Sequence, residues 1–144
     1  MARISRSAVE DRLARMAREI DAIEVLRPAS LPEYVAEENE TVRMALEHRV
    51  FLATQAMVDI AAHIVASRGY GVPGTYREAV VQLGAIGVVP QAVANAVADA
   101  AGLRNAIAHA YLNLDQERVF TALWKTDDLK RYAAAVWEWL EREE

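Results

Sequence analysis

The chain contains no cysteine, which excludes a disulfide scaffold, thiolate zinc ligation and thiol catalysis. Proline and glycine are scarce, with four and six residues among 144, and they gather in a few places. They therefore punctuate the chain rather than pervade it. Aromatic residues make up 7%, and clustered alternation of β-branched residues is missing, which argues against strands. No run reaches the roughly 18 consecutive apolar residues of a membrane span. Charges interrupt the first segment, MARISRSAVEDRLARMAREI, every few residues, so no secretory signal and no membrane partner are expected. There are three histidines, and no carboxylates pair on one apolar face, so no metal site and no cofactor are expected. Sixteen basic against 21 acidic residues leave a net charge of −5. No domain-wide basic field draws nucleic acid by charge alone.

What is present points to helices. Alanine, the best helix former, is abundant, and the hydrophobic share of 53% suffices for a core. The length suits one domain over 1–144, and cytoplasmic residence is expected. A first helix is expected over Ser7–Leu26, with Leu13, Met16, Ile20 and Ile23 as its apolar face and Ser7/Glu10 as a capping box. Arg27-Pro28 ends it. A second helix is expected from near Pro32 to Arg68, uninterrupted by proline or glycine. Its second half, VFLATQAMVDIAAHIVAS, is apolar on most faces, so the helix is either central to the core or covered by a second subunit, and oligomerisation is the preferred reading. Residues 69–74 break the chain, and Thr75 caps a short helix through Leu83. After a turn over 84–90, a further helix is expected from Pro90 to Ala101, interrupted by Gly102. Two closing helices are expected near Gln116–Trp124 and Asp127–Glu141. Asp127 would cap the second, Leu129, Tyr132, Ala133, Val136, Trp137 and Leu140 would be its stripe, and the tail 141–144 would be frayed.

Polar chemistry concentrates in one stretch. His63 stands four residues after Asp59 on one helix face, and spacing favours a satisfied polar pair. His48, between Glu47 and Arg49, reads as part of a solvated face. Residues 51–111 carry three acids and three bases, so any RNA or DNA contact needs a local pocket, one built from two subunits included. Within that region, Leu103–Tyr111 places Arg104, Asn105, His109 and Tyr111 inside an otherwise alanine-rich segment. An imidazole titrates near neutrality and can move a proton between two oxygens. A guanidinium stays charged and offers forked donors to a phosphate or developing oxyanion. Together they suffice for metal-free RNA cleavage, in which the ribose 2′-hydroxyl attacks its own phosphate. On a regular helix Arg104 and His109 lie about 140° apart, so their convergence needs a nearby helix end, a bend or two subunits. A helix-end arginine and a surface histidine is the plain alternative, and Tyr111 beside Leu112 and Leu114 reads as a half-buried aromatic.

The stretch RNAIAHAY, with its Arg-x4-His-x-Tyr pattern, resembles the HepT-like ribonuclease toxins, a branch of the HEPN superfamily. The resemblance covers about residues 45–125 and includes Pro73, Tyr76, Arg77 and Glu78 and the Leu-Gly-x-x-Gly-Val segment between two central helices. It implies an all-α, up-and-down bundle of four to six helices that dimerises or assembles further, with both copies of the motif lining one cleft. It implies a metal-independent endoribonuclease toxin of the type VII toxin–antitoxin class, leaving a cyclic phosphate or a related end. By matching positions, His109 would be the acid–base residue, Arg104 would hold the scissile phosphate, Asn105 would orient either group, and Asp59 would support the cleft. An MntA-like nucleotidyltransferase antitoxin would transfer AMP to Tyr111 and silence the site. The added nucleotide brings bulk and negative charge where RNA phosphate must sit. Where the family commonly has Glu-Arg this chain has Glu47-His48, and Gln55 stands where Glu is frequent. A rival reading is a non-catalytic HEPN helical subunit that partners a nucleotidyltransferase. Arg104, Asn105 and His109 would then form a structural or nucleotide-binding cluster.

Overall fold

The computed structural model describes residues 5–143, in which every regular element is helical. Seven α-helices follow one another: α1 (Arg6–Leu26), α2 (Leu31–Val35), α3 (Glu40–Ser67), α4 (Tyr76–Ala85), α5 (Gln91–His109), α6 (Gln116–Leu123) and α7 (Thr126–Arg142). Short 3-10 turns precede α3, at Glu37–Asn39, and follow α5, at Tyr111–Asn113. The all-α expectation holds. There are seven helices among the described residues rather than four to six, because the segment expected as one helix from Pro32 to Arg68 is split near Ala36. Side chains satisfy the carbonyls freed by that split. The Asn39 amide donates to the Glu33 carbonyl, and the Arg43 guanidinium donates to those of Tyr34 and Ala36.

α3 is the centre of the bundle, flanked by α1, α4, α5 and α6. Together with the 3-10 turn before it, the stretch Glu37–Ser67 is long and apolar enough to cross a membrane by length and composition, yet 61% of its most apolar window is buried. Intramolecular neighbours thus place this helix at the centre of the core, one of the two readings its apolarity allowed. The main core gathers Met16, Met57, Ile60, Ile64, Leu83 and Tyr132, and a second, smaller one gathers Ile23, Tyr34, Leu46, Val50 and Leu103. On α7, Leu129, Tyr132, Val136 and Leu140 are buried as expected. Trp139 takes the inward place given to Trp137, which is exposed.

Helix ends follow local chemistry, not always at the expected residue. Ser5, not Ser7, caps α1, its hydroxyl accepting from the Ala8 N–H, while Glu10 pairs with Arg6 instead of closing a box. Thr75 caps α4 by accepting from the Glu78 N–H at 3.0 Å, and Glu78 accepts from the Gly74 N–H at 3.0 Å, a nearly reciprocal cap. α7 begins one residue before Asp127 without a side-chain cap. Its end is not frayed through the described residues, since Glu141 and Arg142 are helical and Glu143 pairs with Arg68; Glu144 lies outside the described residues. Gly69 and Gly87 both have φ +79° and sit just past α3 and α4. The Val88 N–H bonds the Leu83 carbonyl and the Gly87 N–H that of Gly84, a Schellman ending that needs a residue tolerant of left-handed backbone. Gly102 does not interrupt α5, which runs unbroken from Gln91 to His109. Pro90 stands before its first residue, not inside it.

Candidate functional site

The end of α5 meets α3 near Ala62, the 72–75 connection and the start of α4 around one open pocket of about 600 Å³, lined by Arg104, Asn105, His109, Tyr76 and residues 72–75 among others. The three motif residues thus line a single hollow within one protomer. The helix stays regular, so Arg104 and His109 do diverge. Asn105 lies between them in angle, and the pocket spans that arc because α5 ends at His109 and the connection folds back along it.

Arg104 is the most constrained member. Its Nε donates to Gln55 Oε1 at 2.6 Å and its Nη1 to Asn105 Oδ1 at 2.9 Å. Its guanidinium carbon lies 4.9 Å from the Tyr76 ring centroid and 5.5 Å from that of Phe51, so aromatic rings from α4 and α3 flank the cation. Gln55 in turn donates to Asp59 Oδ1 at 2.8 Å, and Asp59 Oδ2 stands 4.0 Å from Arg12 Nε of α1. A polar chain therefore runs from α1 through Asp59 and Gln55 to the guanidinium. It leaves the far edge of Arg104 as the part that can meet an anion. His109 is exposed and makes no side-chain hydrogen bond among the described residues.

The other expected residues fall as follows. Asp59 does not pair with His63. The His63 Nε2 instead accepts from the Ser5 N–H at 3.1 Å, satisfying an orphan donor at the start of α1. His48 is exposed, as expected, and stacks near Phe51, with centroids 6.4 Å apart. Tyr111 is not half-buried. It is 71% exposed on the 3-10 turn beyond α5 and stands outside the lining of the pocket. Sequence reasoning assigned no site role to Gln55, Phe51 or Tyr76. A signal for two of them existed, because Phe51, Gln55 and Asp59 recur at four-residue spacing and so share one face of α3. Among the described residues no three histidine, aspartate or glutamate side chains gather as a metal site would require.

The chain is an all-α bundle carrying an arginine, an amide and a histidine in one pocket at the end of α5, and solved structures share its fold. The chain superposes with a TM-score of 0.78 on the Shewanella oneidensis HEPN toxin, which is tri-AMPylated and in complex with an MNT antitoxin, at 19% identity over 92% of this chain and 98% of that one. It superposes with a TM-score of 0.82 on YutE of Bacillus subtilis, a cytosolic protein of unknown function, at 17% identity over 99% of this chain and 95% of that one. Sequence narrows the class. Residues 12–136 match the family described as Ribonuclease HepT-like. A tRNA nuclease HepT of Aphanizomenon flos-aquae is 30% identical over 123 residues, 85% of this chain and 82% of that protein. The chain belongs to the HepT-like ribonuclease family.

Proposed function

We propose that the protein is a metal-independent endoribonuclease toxin whose site is built on Arg104 and His109. The observation that carries this reading is the shared pocket: a guanidinium oriented by Gln55 and an unpartnered imidazole face the same solvent-open hollow. In the reaction, the ribose 2′-oxygen attacks the adjacent phosphorus and an imidazole of His109 takes its proton. The bond from phosphorus to the 5′-oxygen then breaks, and an imidazolium returns a proton to that oxygen. The products are a cyclic phosphate and a free 5′-hydroxyl. Arg104 stabilises the charge on the phosphoryl oxygens, and Asn105 fixes the guanidinium's rotation. Gln55 and Asp59 hold it from behind.

Two further parts of the reading concern assembly. A second copy of the chain would join its motif to this one; the exposed Met44 beside Ile107 and Phe51, the ring that flanks Arg104, around a separate hollow of about 280 Å³, supports such a contact. A nucleotidyltransferase antitoxin would transfer AMP to Tyr111, whose exposure leaves the phenol open to a large partner. The S. oneidensis relative, AMPylated and held by an MNT antitoxin, supports that regulation by analogy. The substrate would be RNA, and the tRNA nuclease relative makes tRNA the first to try. Residence in the cytoplasm follows from such a role.

The test is incubation of the purified chain with total RNA in EDTA, with and without modification at Tyr111. Cleavage is expected to persist in chelator and to stop on AMP addition, and His109→Ala is expected to lower the rate by about 10²–10⁴-fold. Intact RNA with the unmodified chain would overturn the nuclease reading in favour of a non-catalytic partner of a nucleotidyltransferase. AMP addition to Tyr111→Phe would overturn the modification site.

A further inference from the structure

A second cavity, of about 460 Å³, lies between α1, α3, α5, α6 and α7 and shares no lining residue with the pocket at Arg104. Its volume is in the range of small-molecule sites, about 300–1,000 Å³. Ile23, Val50, Val97, Leu103 and Leu129 give it apolar walls. Its hydroxyls are already committed. Thr54 donates to the Val50 and Phe51 carbonyls, Thr121 to the Glu117 carbonyl and Thr126 to Glu24. A neutral polar ligand would find little to bind there.

The charged lining is lopsided in a way that selects a sign. Both carboxylates are taken from outside the cavity, Asp99 by Arg77 at 2.7 Å and Asp128 by Arg131 at 3.1 Å. Both cations, Arg118 and Lys125, are exposed and form no close ion pair or side-chain hydrogen bond among the described residues, although their charges, after that of Arg77, help to hold the Asp99 carboxyl below its ordinary range. The Arg118 guanidinium lies against the backbone of α5, where a Cβ on Gly102 would come within 3.0 Å of its Nη2. The missing side chain at Gly102, in mid-helix and without positive φ, thus leaves room for Arg118 at the cavity wall.

We propose that this cavity binds a small amphipathic anion, an apolar chain or ring system ending in a carboxylate or sulfonate. The apolar body would enter between Leu103 and Leu129, and the anionic head would lie between Arg118 and Lys125. The site is separate from the RNA-cleavage reading and stands or falls without it.

The test titrates the full chain with decanoate and with 1-anilinonaphthalene-8-sulfonate, using decanol and decyltrimethylammonium as neutral and cationic controls. Saturable one-to-one binding of both anions is expected, with mutual competition and amide shift changes at Ala100 and Leu103. The double variant Arg118→Glu, Lys125→Glu alters exposed side chains that form no hydrogen bond or close ion pair among the described residues. It is expected to keep its circular dichroism spectrum and to bind decanoate at least tenfold more weakly. Absence of saturable decanoate binding, equal binding of decanol or of the cationic control, or unchanged affinity in the folded double variant would each overturn the proposal.

Discussion

A guanidinium acts differently from a bare positive charge only when its plane is fixed, and Arg104 is fixed from three sides. Gln55 takes one edge, Asn105 another, and the rings of Phe51 and Tyr76 flank it. Lysine keeps the charge but loses the planar fork. Arg104→Lys is therefore expected to lower RNA cleavage by about 10²-fold, measured as initial rate on a labelled substrate, with the helical spectrum unchanged. Gln55→Ala removes one hydrogen bond to a charged group and is expected to cost about tenfold. A rate that falls equally for both would mean that Gln55 does more than orient its neighbour.

At the scale of the element, two glycines answer substitution with opposite signs. Gly87 holds φ +79° with nothing within 4 Å of a would-be Cβ, so backbone strain alone decides. Gly87→Ala is expected to lower stability by about 1 kcal/mol. Gly102 lies inside α5 at ordinary helical φ, and its only close neighbour is the far end of Arg118. Gly102→Ala is expected to raise stability by up to about 1 kcal/mol. Urea midpoints for the pair read both outcomes, and a shared sign would refute the distinction. Gly102 also shows where the sequence misleads. A glycine breaks a helix only if the backbone uses its freedom, and that choice depends on what packs above it. The break at Ala36 had no proline or glycine to announce it, because the groups that tolerate it, Asn39 and Arg43, act from further along the chain. The start at Thr75 was easier, since its cap is contained within four residues, and so was the start near Gln116, although its cap, Asp115, went unnamed in the sequence. Arg104, Asn105 and His109 were legible as a motif for the same reason. The support from Gln55 was not, because it crosses 49 residues and exists only once α3 and α5 pack together.

Across the whole molecule, few buried charges tie helices together, and their removal is the severest test of the bundle. Glu19 of α1 is 1% exposed and accepts from Arg49 of α3 at 2.6 Å, with Arg15 at 3.6 Å. Arg49→Met strands that carboxylate and is expected to cost about 2 kcal/mol, less than a fully buried pair because Arg15 and solvent remain. Calorimetry at neutral pH would check it, and an unchanged midpoint would contradict the account. Glu24 joins α1 to α7. Hydrogen bonds from Lys130 and then Thr126 hold its carboxyl below the usual carboxylate range. A depressed folded value stabilises at pH above the unfolded one, and that contribution disappears as pH falls through the folded one. Glu24→Gln should therefore melt earlier than the parent at pH 7, with the two converging as the pH drops below about 4. A gap that widens in acid would reverse the assigned sign.

The order in which the helices leave the ribosome gives the polar chain behind Arg104 a temporal meaning. α1 packs on α3 and on α7, so the first helix made waits for the last before its surroundings are complete. Arg12, Gln55, Asp59 and Arg104 appear in an order that leaves the guanidinium, and then His109, to late synthesis. At about 5–20 residues per second, a nascent chain spends most of its elongation with no assembled cluster. An interrupted translation product ending before residue 104 carries none of the motif.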